Sequence, residues 1–430
     1  MSDKDGAAAP TCAGGPSIAV IGSGPSGCYV AQFLGKQWPN ADITIFERLP
    51  TPYGLIRYGV APDHQGSKAV TKQFDRLFTT GGVRFAGNVT VGRDVEFERI
   101  TELFDIVILA TGLPADRELG VPHPANATVI GAGALLRALN GHPDAIALHS
   151  SAKHGGLGRR LVVVGIGNVA IDVVRLLSKE ARGLIGSDID DRVHQLLLPE
   201  SPTSIEVLSR SSAGQAKCDV SMLREVLSIP NIAATATGLT PHDDGPVAEM
   251  LRNAFTESSE TADGAGTRTK VAFHFGLSPE RIEGTAGGGS RVHAVSEDGS
   301  RRLNLDADTI VTAIGFTHGG EADPCCPSPT WSGAHVYRVG WLSRGSVGTI
   351  AENRKQARTV ADMIVNDVNG GRISFGRPGF RALEPSMHAR VVSFAHWQRI
   401  EEFELSSAPP DRCRRKITDV DHMLAVAGCP

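Results

Sequence analysis

The chain has 430 residues, with 43 Lys+Arg against 47 Asp+Glu, a formal charge of -4, 49 glycines and 5% aromatics. That length exceeds one ordinary core and fits two domains able to bury their own apolar surface without covalent staples. The near-balanced charge excludes a general polyanion-binding surface, so no nucleic-acid partner is expected, and the glycine content suits an α/β protein with many tight turns.

Seven cysteines stand at positions 12, 28, 218, 325, 326, 413 and 429, with no CxxC and no metal-ligand spacing. This pattern reads as a reduced, intracellular chain without a metal site. The opening MSDKDGAAAPTCAGG lacks the apolar core of a signal peptide and the arginines of a transit peptide, so residues 1–15 read as a disordered tail. No run reaches the roughly 18–20 apolar residues of a membrane span. The expectation is a cytoplasmic protein with no membrane partner.

In chain order, SIAVIG (17–22), SGPSGCYVAQFLGKQW (23–38) and ADITIFE (41–47) predict a strand, a glycine turn opening a helix, and a second strand. The turn holds Gly22-x-Gly24-x-x-Gly27 with Pro25 and Ser26 inside it, and Glu47 ends the next strand twenty residues after Gly27. This is the dinucleotide fingerprint. The first glycine makes the tight turn, the second admits a pyrophosphate to the backbone, and the third lets the helix pack on the strand. The helix N-terminus faces the phosphates. Glu47 accepts hydrogen bonds from a ribose, which favours an adenosine without a 2′-phosphate.

FDIVILATG (104–112) predicts the next strand. A second βαβ unit begins at RRLVVVGIGNVAIDVVRLLSK (159–179) and closes with SIEVLSR (204–210), leaving an insertion at 180–204 with some helix around DIDDRVHQLLL. Its turn, Gly165-Ile166-Gly167-Asn168-Val169-Ala170, carries alanine in place of the third glycine. Its second strand ends on Ser209 and Arg210 rather than an acid. A guanidinium there pairs with a 2′-phosphate; the other reading of Arg210 is a solvated strand-end charge. Further strands are predicted at TKVAFHF (269–275) and DTIVTAIGF (308–316), and loops around short strands over 232–268 and at GTAGGGS (284–290). VGTIAENRKQARTVADMIVNDV (347–368) has helical spacing, and RVVSFAHWQRIEEFE (390–404) reads as a strand followed by a helix. Two dinucleotide sites in one chain point to a flavin and a nicotinamide exchanging electrons.

The runs LPTPYGLIRYGVAPDH (49–64), ATG (110–112), NGHPD (140–144), GIGNVAIDVVRLL (165–177) and VGWLSRGSVGTIAEN (339–353) resemble, in this order, the adrenodoxin-reductase-like ferredoxin–NADP reductases. The resemblance runs from about residue 16 to about 370, and VVSFAHWQRIEEFE with ITDVDHML (417–424) is similar to the extension of actinobacterial members. It implies an α/β fold of two Rossmann-type domains, the NADP domain (116–310) inserted between two parts of the FAD domain (16–115 and 311–370), with a C-terminal extension over 371–430. It also implies hydride transfer from NADPH to FAD, then single electrons to an iron–sulfur ferredoxin.

Carried over from that family, Ser26, Glu47, Leu55, Val91, Gly112, Trp341, Gly348, Thr349 and Ile350 match FAD-contacting positions. Gly348 also joins Gly165, Ile166, Gly167, Asn168, Val169 and Arg210 at the NADP site. His64, closing the APDH motif, and Trp341 are implied to assist catalysis near the flavin. Without the resemblance, His64 reads as a loop histidine that caps or packs, and Trp341 as core. The chain departs from the family at Ser211, where a second consecutive arginine is usual, and at Met222, where a glutamate is usual. The expectation is a weakened, not reversed, preference for NADPH.

Competing readings are a related flavoprotein that acts on a small molecule, and a non-enzymatic FAD-binding protein with a decayed nicotinamide site. Dithiol chemistry of the thioredoxin-reductase kind needs a CxxC, which neither Cys325-Cys326 nor any other pair supplies. A glutamate-synthase-type small subunit resembles the architecture, but its cysteine clusters are absent.

Overall fold

The computed structural model describes residues 14–146, 156–257, 268–319, 331–387 and 390–429. Residues 1–13 of the expected tail and the Cys325-Cys326 pair lie outside the described residues. The first sheet is formed by β1 (Ser17–Ile21), β2 (Asp42–Glu47), β3 (Arg84–Gly87), β4 (Ile106–Leu109) and β16 (Val336–Arg338), in the order β16-β4-β1-β2-β3. All its pairings are parallel. Both faces of β1 and β4 are covered, which is why their sequences are unbroken apolar runs rather than alternating ones.

The second sheet is also parallel, with six strands. It contains β6 (Val129–Gly131), β7 (Arg160–Val164), β8 (Ser204–Ser209), β9 (Ile232–Thr237), β10 (Thr269–Phe275) and β14 (Thr309–Thr312), in the order β6-β14-β7-β8-β10-β9. A small antiparallel sheet, β11 (Ser278–Gly284), β12 (Ser290–Val295) and β13 (Arg302–Ala307), branches from the end of β10. The chain passes between the two large sheets through an antiparallel pair, β5 (Ala115–Asp116) against β15 (Phe316–Thr317). Strands of the first sheet thus flank those of the second in sequence.

Several elements differ from expectation. The run 308–316 splits into β14 and β15 because Gly315 turns at φ +106° between them. The anticipated boundary at 310/311 falls inside β14, all of which pairs with β7. Within 232–268, read as loops around short strands, lies a twelve-residue helix, Pro246–Glu257, which buries Val247, Ala248 and Leu251. Its apolar period is interrupted by polar residues and its start is marked by proline. The strand expected at 390 is a single bridge from Val392 to Gly87, after which Ser393 caps the helix Phe394–Ser406 by accepting from His396 N–H.

That helix and Val420–Ala427 pack Trp397, Ile400, Met423 and Leu424 into the core of the first sheet. Charged residues of the same segment reach both sheets. Glu404 meets the buried Arg57 at 2.5 Å, Lys416 meets the buried Asp188 at 2.8 Å, and Arg412 meets Asp191 at 2.6 Å. Lys68 holds the other side of Asp188 at 2.7 Å. Among the described residues, no helix is long and apolar enough to cross a membrane, and no cluster of three or more His, Cys, Asp or Glu is placed to hold a metal ion.

Candidate active site

Two glycine turns are built alike at the C-terminal edges of the two large sheets. Gly22 N–H donates to Phe46 O at 2.8 Å, and Gly165 N–H donates to Leu208 O at 2.8 Å, so each turn is hung from the end of the neighbouring strand. Gly22 stands at φ +108°, and a Cβ there would lie 2.5 Å from Ala110 O; at Gly165, φ is +115° and a Cβ would lie 2.3 Å from Ala313 O. Neither position admits another residue. A Cβ at Gly27 would come within 2.1 Å of Gly22 O, whereas Ala170 fits fully buried at the equivalent place in the second turn. Gly24 and Gly167 face open space, with no protein atom within 4 Å of a Cβ built on either. The helices Pro25–Gln37 and Asn168–Ser178 begin there with no side-chain cap, leaving their first N–H groups directed outward.

A cavity of about 360 Å³ opens over the first turn. Gly22, Gly24, Pro25, Ser26, Glu47, Leu55, Val91, Gly112 and Trp341, all singled out from the sequence, line it. The Glu47 carboxylate is fixed by Ser23 N–H at 3.0 Å, Ser23 Oγ–H at 2.6 Å and Leu49 N–H at 3.2 Å. It presents its remaining lone pairs to the cavity as an acceptor. Trp341 stacks on Phe316 with ring centroids 5.2 Å apart. Among the described residues, Trp341 Nε1–H and Thr111 Oγ are buried without a protein partner, and both residues line the cavity. Orphaned buried donors beside open glycines fit an extended ligand that has both polar and aromatic parts.

Gly348, Thr349 and Ile350 do not line this cavity. Gly348 and Thr349 are exposed, and Thr349 caps the helix Ile350–Asn369, its N–H donating to Glu352 Oε2 at 2.7 Å. Ile350 packs against the apolar core.

The cavity wall also holds Arg48, Arg137, His142 and Asp144, none of them picked out as site residues from the sequence. His142 Nδ1 accepts the Asp144 N–H at 3.0 Å, and its Nε2 lies 3.4 Å from Arg48 Nη2. Burial, with the nearby Arg48 charge, pushes the His142 pKa down to about 3. A neutral imidazole therefore faces the cavity across the physiological range. The motif NGHPD could have pointed to it, since a histidine between glycine and proline is held in one place by its loop.

At the second turn, Ile166 is buried, Val169 packs on the core, and Asn168 Oδ1 accepts the Asp219 N–H at 2.7 Å. Arg210 leaves the end of β8 exposed and without a protein partner among the described residues. Ser211 is tied locally through the Ser209 hydroxyl, which donates to its carbonyl at 2.9 Å. Met222 is half-buried against the core of the second sheet.

His64 is held apart from the cavity, at the seam between the two parts of the chain. Its Nε2 lies 3.1 Å from Glu225 and its Nδ1 3.5 Å from Asp172, so a carboxylate flanks each ring nitrogen. Below them Arg175, fully buried, makes a two-pronged pair with Asp63 at 2.8 and 2.9 Å and meets Asp172 at 2.7 Å; Lys179 adds a contact to Asp63 at 2.7 Å. The imidazole thus bridges carboxylates that come from two separate helices.

Comparison with known proteins places this geometry. The profile of the pyridine nucleotide-disulphide oxidoreductases matches residues 16–208. Cindoxin reductase of Citrobacter braakii is 40% identical over 424 residues, spanning 96% of this chain and 91% of that one. NADPH-ferredoxin reductase FprA of Mycobacterium tuberculosis is 29% identical over 461 residues, spanning 95% and 98% respectively. The solved structure of M. tuberculosis FprA in complex with NADPH superposes with a TM-score of 0.84 at 27% identity, covering 96% of this chain and 100% of that one. With relatives matched over nearly its whole length and two glycine turns on two parallel sheets, the chain belongs to the adrenodoxin-reductase-like ferredoxin–NADP reductase family.

Proposed function

We propose that the protein is an FAD-dependent NADPH:ferredoxin oxidoreductase of the cytoplasm, its electron acceptor an iron–sulfur ferredoxin. The observation that carries this reading is the pair of like-built turns whose neighbouring strands end differently: Glu47 after the first, Arg210 after the second. A carboxylate receives ribose hydroxyls and a guanidinium receives a 2′-phosphate, so one site takes FAD and the other NADPH.

In this reading residues 16–115 and 311–370 hold FAD and residues 116–310 hold NADPH. Gly22, Gly24, Pro25, Ser26 and Gly27 bind the FAD pyrophosphate and Glu47 its ribose. Leu55, Val91, Gly112 and Trp341 enclose the rest. Gly165 to Val169, Arg210 and Gly348 bind NADPH. Bound flavin supplies the change from two-electron to one-electron chemistry. Trp341 walls the cavity, while His64 stands at the seam between Asp172 and Glu225.

An anaerobic titration of the flavin-loaded protein tests the reading. NADPH is expected to bleach the visible flavin band quickly and NADH slowly, with ferredoxin then restoring the colour. Failure of both donors to reduce the flavin overturns it, and so does reduction by NADPH that ferredoxin cannot reverse.

A further inference from the structure

Ser211 leaves one guanidinium at the end of β8, but the fold delivers another from a distant part of the chain. Strand β10 runs parallel to β8 with Phe275 opposite Ser209, so the two strands end side by side. The peptide joining Phe275 to Gly276 is held from both sides. Gly276 N–H donates to the Ser211 carbonyl at 3.2 Å, and the Phe275 carbonyl accepts from Arg301 Nη1 at 3.0 Å. One peptide unit therefore separates Arg301 from Ser211, which puts the guanidinium within about 9 Å of the Ser211 carbonyl. Arg301 thus stands at the end of β10, beside the strand whose end carries Arg210 and Ser211.

The space around Arg301 is kept clear by glycine. Gly238 turns at φ +77° and a Cβ on it would lie 3.0 Å from Arg301 Nη1; Gly276 turns at φ +70° with the same nitrogen 3.5 Å from its Cβ position. Arg301 itself is positioned by the turn between β12 and β13. Its N–H donates to Ser296 Oγ at 3.0 Å and its carbonyl accepts the Ser296 N–H at 3.0 Å. Its side chain is exposed, and none of the ion pairs among the described residues uses it. Of the two acids in the adjoining loop, Asp243 is turned to the Thr240 N–H at 2.7 Å and the Thr240 hydroxyl at 3.0 Å. In Arg301's own turn, Asp298 accepts from the Ser296 and Ser300 hydroxyls at 2.6 and 2.8 Å.

We propose that Arg301 is the second cationic arm of the 2′-phosphate site, standing in space where the chain lacks an arginine in sequence, so that Arg210 and Arg301 together select NADPH. The inference rests on reading the second turn as the NADPH site. It also gives the β11-β12-β13 sheet a task, since that sheet carries the turn that presents Arg301. The weakened NADPH preference expected from Ser211 alone is thereby offset.

The test uses the flavin-loaded enzyme and compares wild type with Arg301→Gln and Arg301→Ala. Glutamine keeps a polar side chain but removes the charge, and an unchanged KM for NADH shows that the hairpin stays in place. Both variants are expected to raise the KM for NADPH and the inhibition constant of 2′,5′-ADP by about tenfold or more, the scale of one charged hydrogen bond. The KM for NADH, inhibition by 5′-AMP and kcat are expected to stay at wild-type values. Ser211→Arg added to Arg301→Gln should recover NADPH binding. Wild-type affinity for 2′,5′-ADP in Arg301→Gln, or equal weakening toward NADPH and NADH, overturns the proposal while leaving the NADPH reading standing. A wild-type enzyme that is indifferent to the 2′-phosphate overturns both.

Discussion

Replacing Arg175 with alanine is expected to lower the unfolding free energy by about 3–5 kcal/mol, the cost of leaving buried carboxylates without their cation. The side chain is fully buried on the helix Asn168–Ser178, and its partners lie on both sides of the seam: Asp63 before the crossing to the second sheet, Asp172 after it. Lys179 would still reach Asp63 at 2.7 Å, but nothing equivalent remains for Asp172 beyond the histidine 3.5 Å away. Arg175→Met, which keeps the apolar stem, should recover only the packing part of the loss.

The pH dependence has a definite sign. Burial opposes ionisation of Asp63, but hydrogen bonds and charge from Arg175 and Lys179 outweigh it and hold the carboxyl well below the usual carboxylate range. A depressed folded-state pKa contributes stability above the unfolded value of about 4 and loses it as the pH falls toward the folded value. The difference between wild type and Arg175→Ala should thus be full at pH 7 and shrink in strong acid. Urea unfolding followed by tryptophan fluorescence at several pH values measures it. A loss under about 1 kcal/mol at neutral pH, the range of an exposed pair, would show that the seam is wet.

Gly24→Val is expected to separate folding from cofactor binding. The backbone at Gly24 has φ -65°, which any residue adopts, and no protein atom lies within 4 Å of its Cβ position. The stability of the flavin-free chain should change by no more than about 0.5 kcal/mol. The added methyls fill the space through which a pyrophosphate approaches the turn, so the protein should purify colourless and take up no added FAD. Gly27→Ala gives the contrast, because its Cβ falls 2.1 Å from Gly22 O and distorts the turn itself. Loss of both stability and flavin there, with loss of flavin alone at Gly24, confirms the assignment of roles. A yellow Gly24→Val protein refutes it.

Local signals carried most of the fold. Buried parallel strands are continuous apolar runs, so β1, β7 and β10 could be read from short windows, and β10 occupies the seven residues anticipated for it. Helix Pro246–Glu257 was hidden because half its surface is polar and its apolar residues are spread over three turns. At 390–392 an apolar pair suggested a strand, yet β3 ends at Gly87, so only one bridge can form.

The glycine turns were equally legible, being local in sequence. The seam was not: Asp63, Asp172, Arg175 and Glu225 come from three separate stretches and meet only in the fold. A hint did exist in VAIDVVRLL, where an acid and a base three residues apart interrupt an otherwise apolar helix. Arg301 carried no signal at all, since its relation to Ser211 passes through a peptide of β10.

The segment 394–429 also bears on how the molecule is assembled during synthesis. Every strand of both large sheets precedes residue 339, so a growing chain has both sheets in hand before the ribosome reaches the helix Phe394–Ser406. Until then the buried Arg57, Lys68 and Asp188 lack Glu404 and Lys416, and the seam is held mainly by Asp63 and Arg175. Nascent chains stalled before residue 394 should therefore carry two formed sheets with the seam between them open to protease, and the released full chain should resist cleavage there.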